Sequence, residues 1–271
     1  MPELPEVETT RRGITPHLQN QIIEDVIVRQ RQLRWPVPRN LKTMLHGQSI
    51  EQIDRRGKYL LLKTANGTLI MHLGMSGSLR VLPCNTPAQK HDHLDLVLHN
   101  GQCLRFRDPR RFGTVLWTRE DPLHHKLLKQ LGPEPLSGQL SGEYLWQRSR
   151  GRKLTIKQFI MDSKIVVGVG NIYANEALFL AGIHPRRQAG RISRERYALL
   201  AKAIKQVLRA AIKQGGTTLR DFTASNGEPG YFRLKLRVYE RAGQPCTHCG
   251  NPIKHTVIGQ RSSYYCSQCQ K

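Results

Sequence analysis

Residues 59–82 read YLLLKTANGTLIMHLGMSGSLRVL, and three short runs within them decide the fold. Positions 59–63, 68–73 and 78–82 are leucine-rich or alternate apolar with polar side chains. Strands do this when one face is buried and successive side chains point to opposite faces. Asn66-Gly67 falls between the first two runs, and Asn-Gly in that setting predicts a two-residue type I′ hairpin whose central residues both take positive φ. Outward from this stretch the same texture recurs at 22–28, 94–98, 103–107 and 114–117, with a second pair, Asn100-Gly101, at another reversal. The expectation is an antiparallel β-sandwich or barrel. A helix is expected ahead of it, beginning after Pro5 with Glu6 and Glu8 in its first turn, where carboxylates complement the positive helix end.

Beyond Gly132-Pro133 the periodicity becomes helical, at 142–148, 154–161, 171–180 and 193–214, the last stopped by Gly215-Gly216. Residues 224–230, ASNGEPG, read as a loop that leads to a cysteine-rich tail. The expected class is α+β, divided into a strand-rich segment 1–131, a helical segment 132–225 and a tail 226–271.

Charge narrows the partners. Lys plus Arg number 43 against 20 Asp plus Glu, a formal charge of +23. Residues 1–130 hold 20 basic and 12 acidic side chains, residues 131–271 hold 23 and 8, so both halves should face the same polyanion. A merely solvated basic surface is the plainer alternative. No apolar stretch approaches the roughly 20 residues that span a bilayer, and the acidic start MPELPEVETT is unlike a signal peptide. The chain is therefore expected in the cytoplasm, with no membrane partner.

Of six cysteines, Cys84 and Cys103 stand apart. The other four form Cys246-Thr-His-Cys249 and Cys266-Ser-Gln-Cys269, two C-x2-C pairs separated by 16 residues. Each pair offers two thiolates from one tight turn, and the spacer suits a β-hairpin, so the four fit one closed, structural Zn²⁺ site. His248 and His255 are nearby alternatives, but four thiolates fill the shell. The spacer carries Lys254, His255 and Arg261, cations suited to a phosphate backbone.

At the other end, Pro2 follows Met1 and is small enough for the methionine to be removed, which would expose a secondary amine. An α-amine titrates near 8, far below the roughly 10.4 of lysine, so an appreciable fraction is nucleophilic at neutral pH. Such an amine attacking an aldehyde-level carbon gives an iminium, an electron sink. Glu3 and Glu6 are near enough in sequence to donate protons or orient it. An ordinary acidic helix entrance is the plainer reading. Lys58 sits at a strand start after Gly57, where a surface lysine is the alternative. Met75 falls in the Gly-rich turn HLGMSGS and is either an exposed tip or buried. Arg110 and Phe112, in DPRRFG, combine a phosphate contact with a wedge for a base stack, or form a plain turn. Asn171, in VGVGNIYANE, is placed to cap the following helix and leave N–H groups for a phosphate.

Taken together, MPELPEVETTRRG, RRGKYLLL, HLGMSGSLR, DPRRFGTVLW, LGPEPL, VGVGNIYANEALF, GIHP, QGGTTLRDF and the cysteine pairs with QRSSYYCSQCQK resemble bacterial formamidopyrimidine-DNA glycosylases, collinearly from Pro2 to Lys271. The resemblance implies an N-terminal β-sandwich with flanking helices, a helix-two-turn-helix domain and a C-terminal β-hairpin zinc finger. It implies a monomer that uses one structural Zn²⁺ and no organic cofactor. Its substrate would be double-stranded DNA carrying 8-oxoguanine or formamidopyrimidines, cut after base removal by β,δ-elimination. In that scheme Pro2 attacks C1′, Glu3 donates a proton as the sugar opens, Glu6 supports the site, Lys58 assists at the lesion and its phosphates, and Arg261 grips the damaged strand. Met75, Arg110 and Phe112 would fill the gap left by the extruded base, while His91, Arg152 and Asn171 would contact DNA. At 220 this chain has Arg where the resemblance leads to Lys, which keeps charge but alters reach; residues 224–230 resemble the family's loop over the extruded base.

Two other readings compete. The sister family, endonuclease VIII, prefers oxidised pyrimidines, but its PEGPE start differs from PELPE here. A non-enzymatic zinc-ribbon DNA-binding protein explains the charge and the cysteines but not Pro2, Glu3 or Lys58.

Overall fold

The computed structural model describes residues 2–215 and 236–271. Gly216, Arg220, the 224–230 stretch and the boundary expected at 225/226 lie outside the described residues. Those described gather into two units, one of residues 2–129 with Gly215 and the other of 130–214 with 236–271.

In the first unit α1 (Leu4–Leu18) starts slightly earlier than Pro5, because Glu3 and Glu6 close a capping box around its first turn. Its buried Leu4, Val7, Ile14 and Leu18 recur at helical spacing and face the core. Two four-stranded antiparallel sheets follow. The first runs β1 (Ile23–Val28), β6 (Asp92–Leu98), β7 (Gln102–Arg107), β5 (Ser78–Pro83) in spatial order. The second runs β2 (Gln52–Arg56), β3 (Tyr59–Thr64), β4 (Gly67–His72), β8 (Thr114–Thr118). A short helix, α2 (Leu41–Leu45), joins β1 to β2. Leu60, Leu62, Leu69 and Met71 of one sheet, Leu94, Leu96, Leu104 and Phe106 of the other, and Val7, Ile14 and Leu18 of α1 share one apolar core. The expected strands are present in a sandwich.

The strand β2 escapes sequence reading, since QIDRR buries a single apolar side chain, Ile53. Its partner makes it a strand: Ile53 pairs with Leu62, and Asp54 reaches Lys63 at 2.8 Å on the outer face.

Both Asn-Gly reversals form, but neither is type I′. Gly67 already belongs to β4, paired with Thr64, so the turn residues are Ala65 and Asn66, neither at positive φ. The second reversal is a three-residue loop, 99–101. Gly101 N–H donates to Leu98 O (3.1 Å) and Gly101 alone takes positive φ (79°), a type I turn completed by a left-handed residue. The register imposed by the two packed sheets overrides the local preference.

The second unit holds α3 (Gly142–Ser149), α4 (Ile156–Met161), α5 (Asn171–Leu180) and α6 (Arg194–Lys213). Ser141, Thr155 and Ser193 accept hydrogen bonds from the first-turn amides of α3, α4 and α6. Capping by Thr155 is why α4 begins at 156, not at 154. The hairpin β9 (Lys254–Ile258) and β10 (Arg261–Tyr265) ends the chain. Among the described residues no helix is long and apolar enough to cross a membrane.

Glu8 stitches α1 to β2, accepting from Arg11 (2.9 Å), Arg12 (2.8 Å) and Arg55 (3.1 Å). Burial alone would raise its pKa, but the hydrogen bonds from Arg11 and Arg12 and the charges of Arg11 and Arg55 prevail and lower it to about 2. A carboxyl depressed in the folded state stabilises it fully above its ordinary value of 4.5, and that stabilisation fades as pH falls toward 2. Glu8→Gln should therefore lower the urea midpoint at neutral pH, with the gap to wild type shrinking between pH 4.5 and 2. A gap independent of pH would contradict this.

Candidate functional site

Pro2 is buried, and beside it Glu3 and Glu6 are 2% and 0% exposed. Glu6 Oε2 accepts the Glu3 amide proton at 2.8 Å, which fixes the backbone on either side of the Pro2-Glu3 peptide. Lys58 follows Gly57 (φ 58°) in the two-residue turn between β2 and β3, where Arg56 pairs with Tyr59. Arg55 Nη1 donates to Gly57 O at 2.9 Å, so Glu8, through Arg55, reaches the backbone of the Lys58 turn.

The imidazole of His72 belongs to the same neighbourhood, though sequence reading passed it by. It packs on Tyr59 with ring centroids 4.7 Å apart. Burial, then the charges of Lys58 and Arg34, push its pKa down to about 4, so it is neutral at pH 7. Its Nδ1 accepts from Gly74 N–H (3.0 Å), which leaves Nε2 as the protonated nitrogen and a donor.

Met75, Arg110 and Phe112 lie on two turns, all exposed; Met75 is 37% and Phe112 44% accessible, high for large apolar side chains. The Arg110 guanidinium stands 5.0 Å from the Phe112 ring centroid. His91 takes positive φ (76°) just before β6, and desolvation, then the charges of Lys90, Arg107, His93 and Arg111, hold its pKa below the ordinary histidine value.

In the second unit the expected capping by Asn171 is not found. Gly170, with extended backbone, is the N-cap of α5 and Asn171 is already helical. Asn171 O accepts from Asn175 Nδ2 (2.6 Å), and its own Oδ1 is buried with no partner among the described residues. Arg152 is exposed, its backbone tied to Ser149 and Gly190.

The sulfurs of Cys246, Cys249, Cys266 and Cys269 all lie within 4.8 Å of one another, with 3.9 Å between Cys246 and Cys269 and 3.5 Å between Cys249 and Cys266. Four thiolates about 2.3 Å from a tetrahedral Zn²⁺ stand about 3.8 Å apart, so these residues fit that ion. Backbone and amide N–H groups point at the sulfurs, from His248 N to Cys246 (3.4 Å) and Asn251 Nδ2 to Cys249 (3.5 Å), and hydrogen bonds from Asn251, then from Cys266 and Cys269, hold the Cys249 pKa below the ordinary thiol value.

The type I′ turn absent from the sandwich occurs in this hairpin, at Gly259 (φ 55°) and Gln260 (φ 61°), and Arg261 follows it, exposed. Behind Arg261 the strand is pinned. Lys157, 1% exposed, donates from Nζ to Ser262 O (2.6 Å) and Ser263 Oγ (2.7 Å), and Asn175 Oδ1 accepts from Tyr264 N (2.8 Å). Glu176 accepts from the amides of Arg237, Val238 and Tyr239 at 2.9 to 3.0 Å, holding the approach to the hairpin against α5. A signal for Lys157 does exist in the sequence, a lysine on the apolar face of TIKQFIM, but its partners lie over a hundred residues away.

The profile of the formamidopyrimidine-DNA glycosylase N-terminal domain matches residues 1–115, that of the formamidopyrimidine-DNA glycosylase H2TH domain matches 131–223, and that of a zinc finger found in FPG and IleRS matches 243–271. The chain is 60% identical over 271 residues to the formamidopyrimidine-DNA glycosylase of Syntrophotalea carbinolica, and 62% identical over 270 to that of Nitrosococcus oceani, with full coverage of both partners. Among solved structures it resembles MutM (Fpg) from Thermus thermophilus at TM-score 0.89 and 36% identity, covering 99% of this chain and 98% of that one. It also resembles Lactococcus lactis Fpg bound to abasic-site DNA at 0.92 and 33%, covering all of both chains.

With four thiolates as the whole ligand set, Cys249→Ser should remove the zinc, measured as metal per chain after gel filtration, and amide exchange across β9 and β10 should accelerate to unprotected rates. Retention of the metal, or a hairpin that stays protected without it, would contradict the structural role.

Proposed function

The chain belongs to the formamidopyrimidine-DNA glycosylase family of base-excision-repair enzymes, and from that premise we propose that it releases oxidised purines from duplex DNA through the amine of Pro2 and then cuts the strand. The observation that carries this reading is the buried entrance of α1, where the buried carboxylates Glu3 and Glu6 follow Pro2 and Glu6 holds the Glu3 amide.

After removal of Met1, the Pro2 nitrogen attacks C1′ of the extruded nucleotide. The C1′–N9 bond breaks, the Pro2 nitrogen gives up its proton, and the base departs with the electron pair and takes up a proton. Glu3 protonates O4′ as the sugar ring opens, leaving an iminium between Pro2 and C1′. Loss of a C2′ proton into that electron sink expels the 3′-phosphate, a second elimination expels the 5′-phosphate, and water hydrolyses the iminium to free Pro2 and the sugar remnant. Lys58 and Arg261 act on the phosphates, neutralising charge on the groups that leave. Cys246, Cys249, Cys266 and Cys269 would hold a Zn²⁺ whose contribution would be structural, closing the hairpin that presents Arg261.

Extrusion is required because C1′ cannot be reached in a stacked duplex, and it costs a few kcal/mol. Met75, Arg110 and Phe112 offset that cost by occupying the gap, and His91, Arg152 and Asn171 anchor the flanking phosphates. The similar Lactococcus lactis Fpg forms a complex with DNA containing N7-benzyl-Fapy-dG, which supports ring-opened purines as the substrate class. A non-enzymatic zinc-ribbon reading accounts for the charge and the cysteines but gives way to full-length relatives named as glycosylases.

Borohydride added during turnover of an 8-oxoguanine duplex should reduce the iminium and leave DNA attached at residue 2, located by peptide mapping. Protein retaining Met1 should not trap. Attachment through Lys58 alone would overturn the assignment.

A further inference from the structure

Asp108 is 0% exposed, and each of its polar atoms is engaged. Its amide donates to His91 O (3.1 Å), and its carbonyl accepts from Arg111 N (3.1 Å) and meets His93 Nε2 at 2.7 Å. Of its carboxylate oxygens, Oδ1 accepts from Ser76 Oγ (2.7 Å) and Oδ2 from Gly113 N (2.7 Å). Ser76 Oγ, its proton committed to Asp108, accepts in turn from Arg110 N–H at 3.1 Å. One carboxylate and one hydroxyl thus fasten the turn that carries Met75 to the turn that carries Arg110 and Phe112.

Those turns also meet backbone to backbone. A Cβ on Gly74 would come within 2.5 Å of Gly113 N and Phe112 C, so only glycine admits this approach. Gly77 N–H donates to Leu73 O (2.8 Å) and closes the Met75 turn on itself.

We propose that Asp108 is a positioning residue for base extrusion, setting the Met75 turn and the Arg110–Phe112 turn at a fixed separation before DNA arrives. The inference rests on the reading that these three side chains fill the emptied gap. A filler made of parts from two turns works only if all parts reach the gap together, and turns fixed beforehand lose no conformational freedom on binding. Exposed tips held only by their own backbone lie at the low-stability end of a fold. The chemistry calls for a carboxylate, because both donors, Ser76 O–H and Gly113 N–H, need an acceptor. Asparagine accepts from one and turns an NH₂ toward the other, leaving that donor without its acceptor.

Asp108→Asn, Ser76→Ala and their double variant test this, with Met75→Ala and Phe112→Ala as references. Three quantities are measured: amide exchange at Arg110 and Gly113, single-turnover base release from an 8-oxoguanine duplex, and cleavage of a preformed abasic site, where no base must be extruded. Each single variant should speed exchange in both turns and slow base release about tenfold, the equivalent of one hydrogen bond. Abasic-site cleavage should stay within about twofold, the signature of a lost extrusion step. The double variant should be no slower than Asp108→Asn, since both changes break one connection. Equal losses on both substrates, or unimpaired base release despite faster exchange, would overturn the proposal. If wild type and the references behave as the gap-filling reading requires while Asp108→Asn does not, this inference alone fails; a wild type inactive on the lesion defeats the reading beneath it as well.

Discussion

The hydrogen bond from the Glu3 amide to the Glu6 carboxylate is the constraint that closes the entrance of α1, the helix from which both the chain start and the Lys58 turn are positioned. A chain terminus ordinarily frays, and the nucleophile proposed at residue 2 would then sample many positions. Here the first turn is buried, closed by a capping box and continuous with a helix whose apolar stripe is part of the sandwich core. The same helix carries Glu8, which engages Arg55, and Arg55 holds Gly57 O in the turn of Lys58. Both the chain entrance and the Lys58 turn therefore take their places from α1. Burial and neighbouring charges also keep His72 neutral, so a donor stands beside Lys58 without adding a further cation.

The second unit meets a related demand differently. Its cations must stay exposed to serve a polyanion, yet long exposed side chains are poorly ordered. A hairpin of two five-residue strands is too small to fix Arg261 by its own packing. Zinc closes its base, Lys157 and Asn175 grip the strand that follows the tip, and Glu176 satisfies three amides on the approach. Buried polar groups with their hydrogen bonds met give the precision, and the exposed arginine supplies the charge. This division of labour recurs in the sandwich, where buried Asp108 holds turns whose tips face solvent.

Much of this is legible in the sequence wherever the determinant is local. Two C-x2-C pairs define a metal site because four ligands from two turns need nothing else. The strand runs follow from alternation, and α6 from its periodic apolar face. Where the determinant is distant, reading fails in specific ways. β2 is polar in sequence and exists because β3 lies beside it. The Asn-Gly pairs mark where the chain reverses, yet register places Gly67 inside the strand, and the type I′ geometry appears instead at Gly259-Gln260. Asn171 looks like a cap until the extended Gly170 takes that position. Asp108 reads as one residue of a turn, since its bond to Ser76 spans 32 positions.

In the proposed reaction a secondary amine at residue 2, not a lysine, does the covalent chemistry. The most direct measurement is the pH dependence of single-turnover cleavage of an abasic-site duplex, with DNA binding saturated throughout. An α-amine titrates near 8, so the rate should rise through about that value and level off beyond it. A rate that keeps climbing toward about 10.4, as an unperturbed lysine would require, would contradict the assignment.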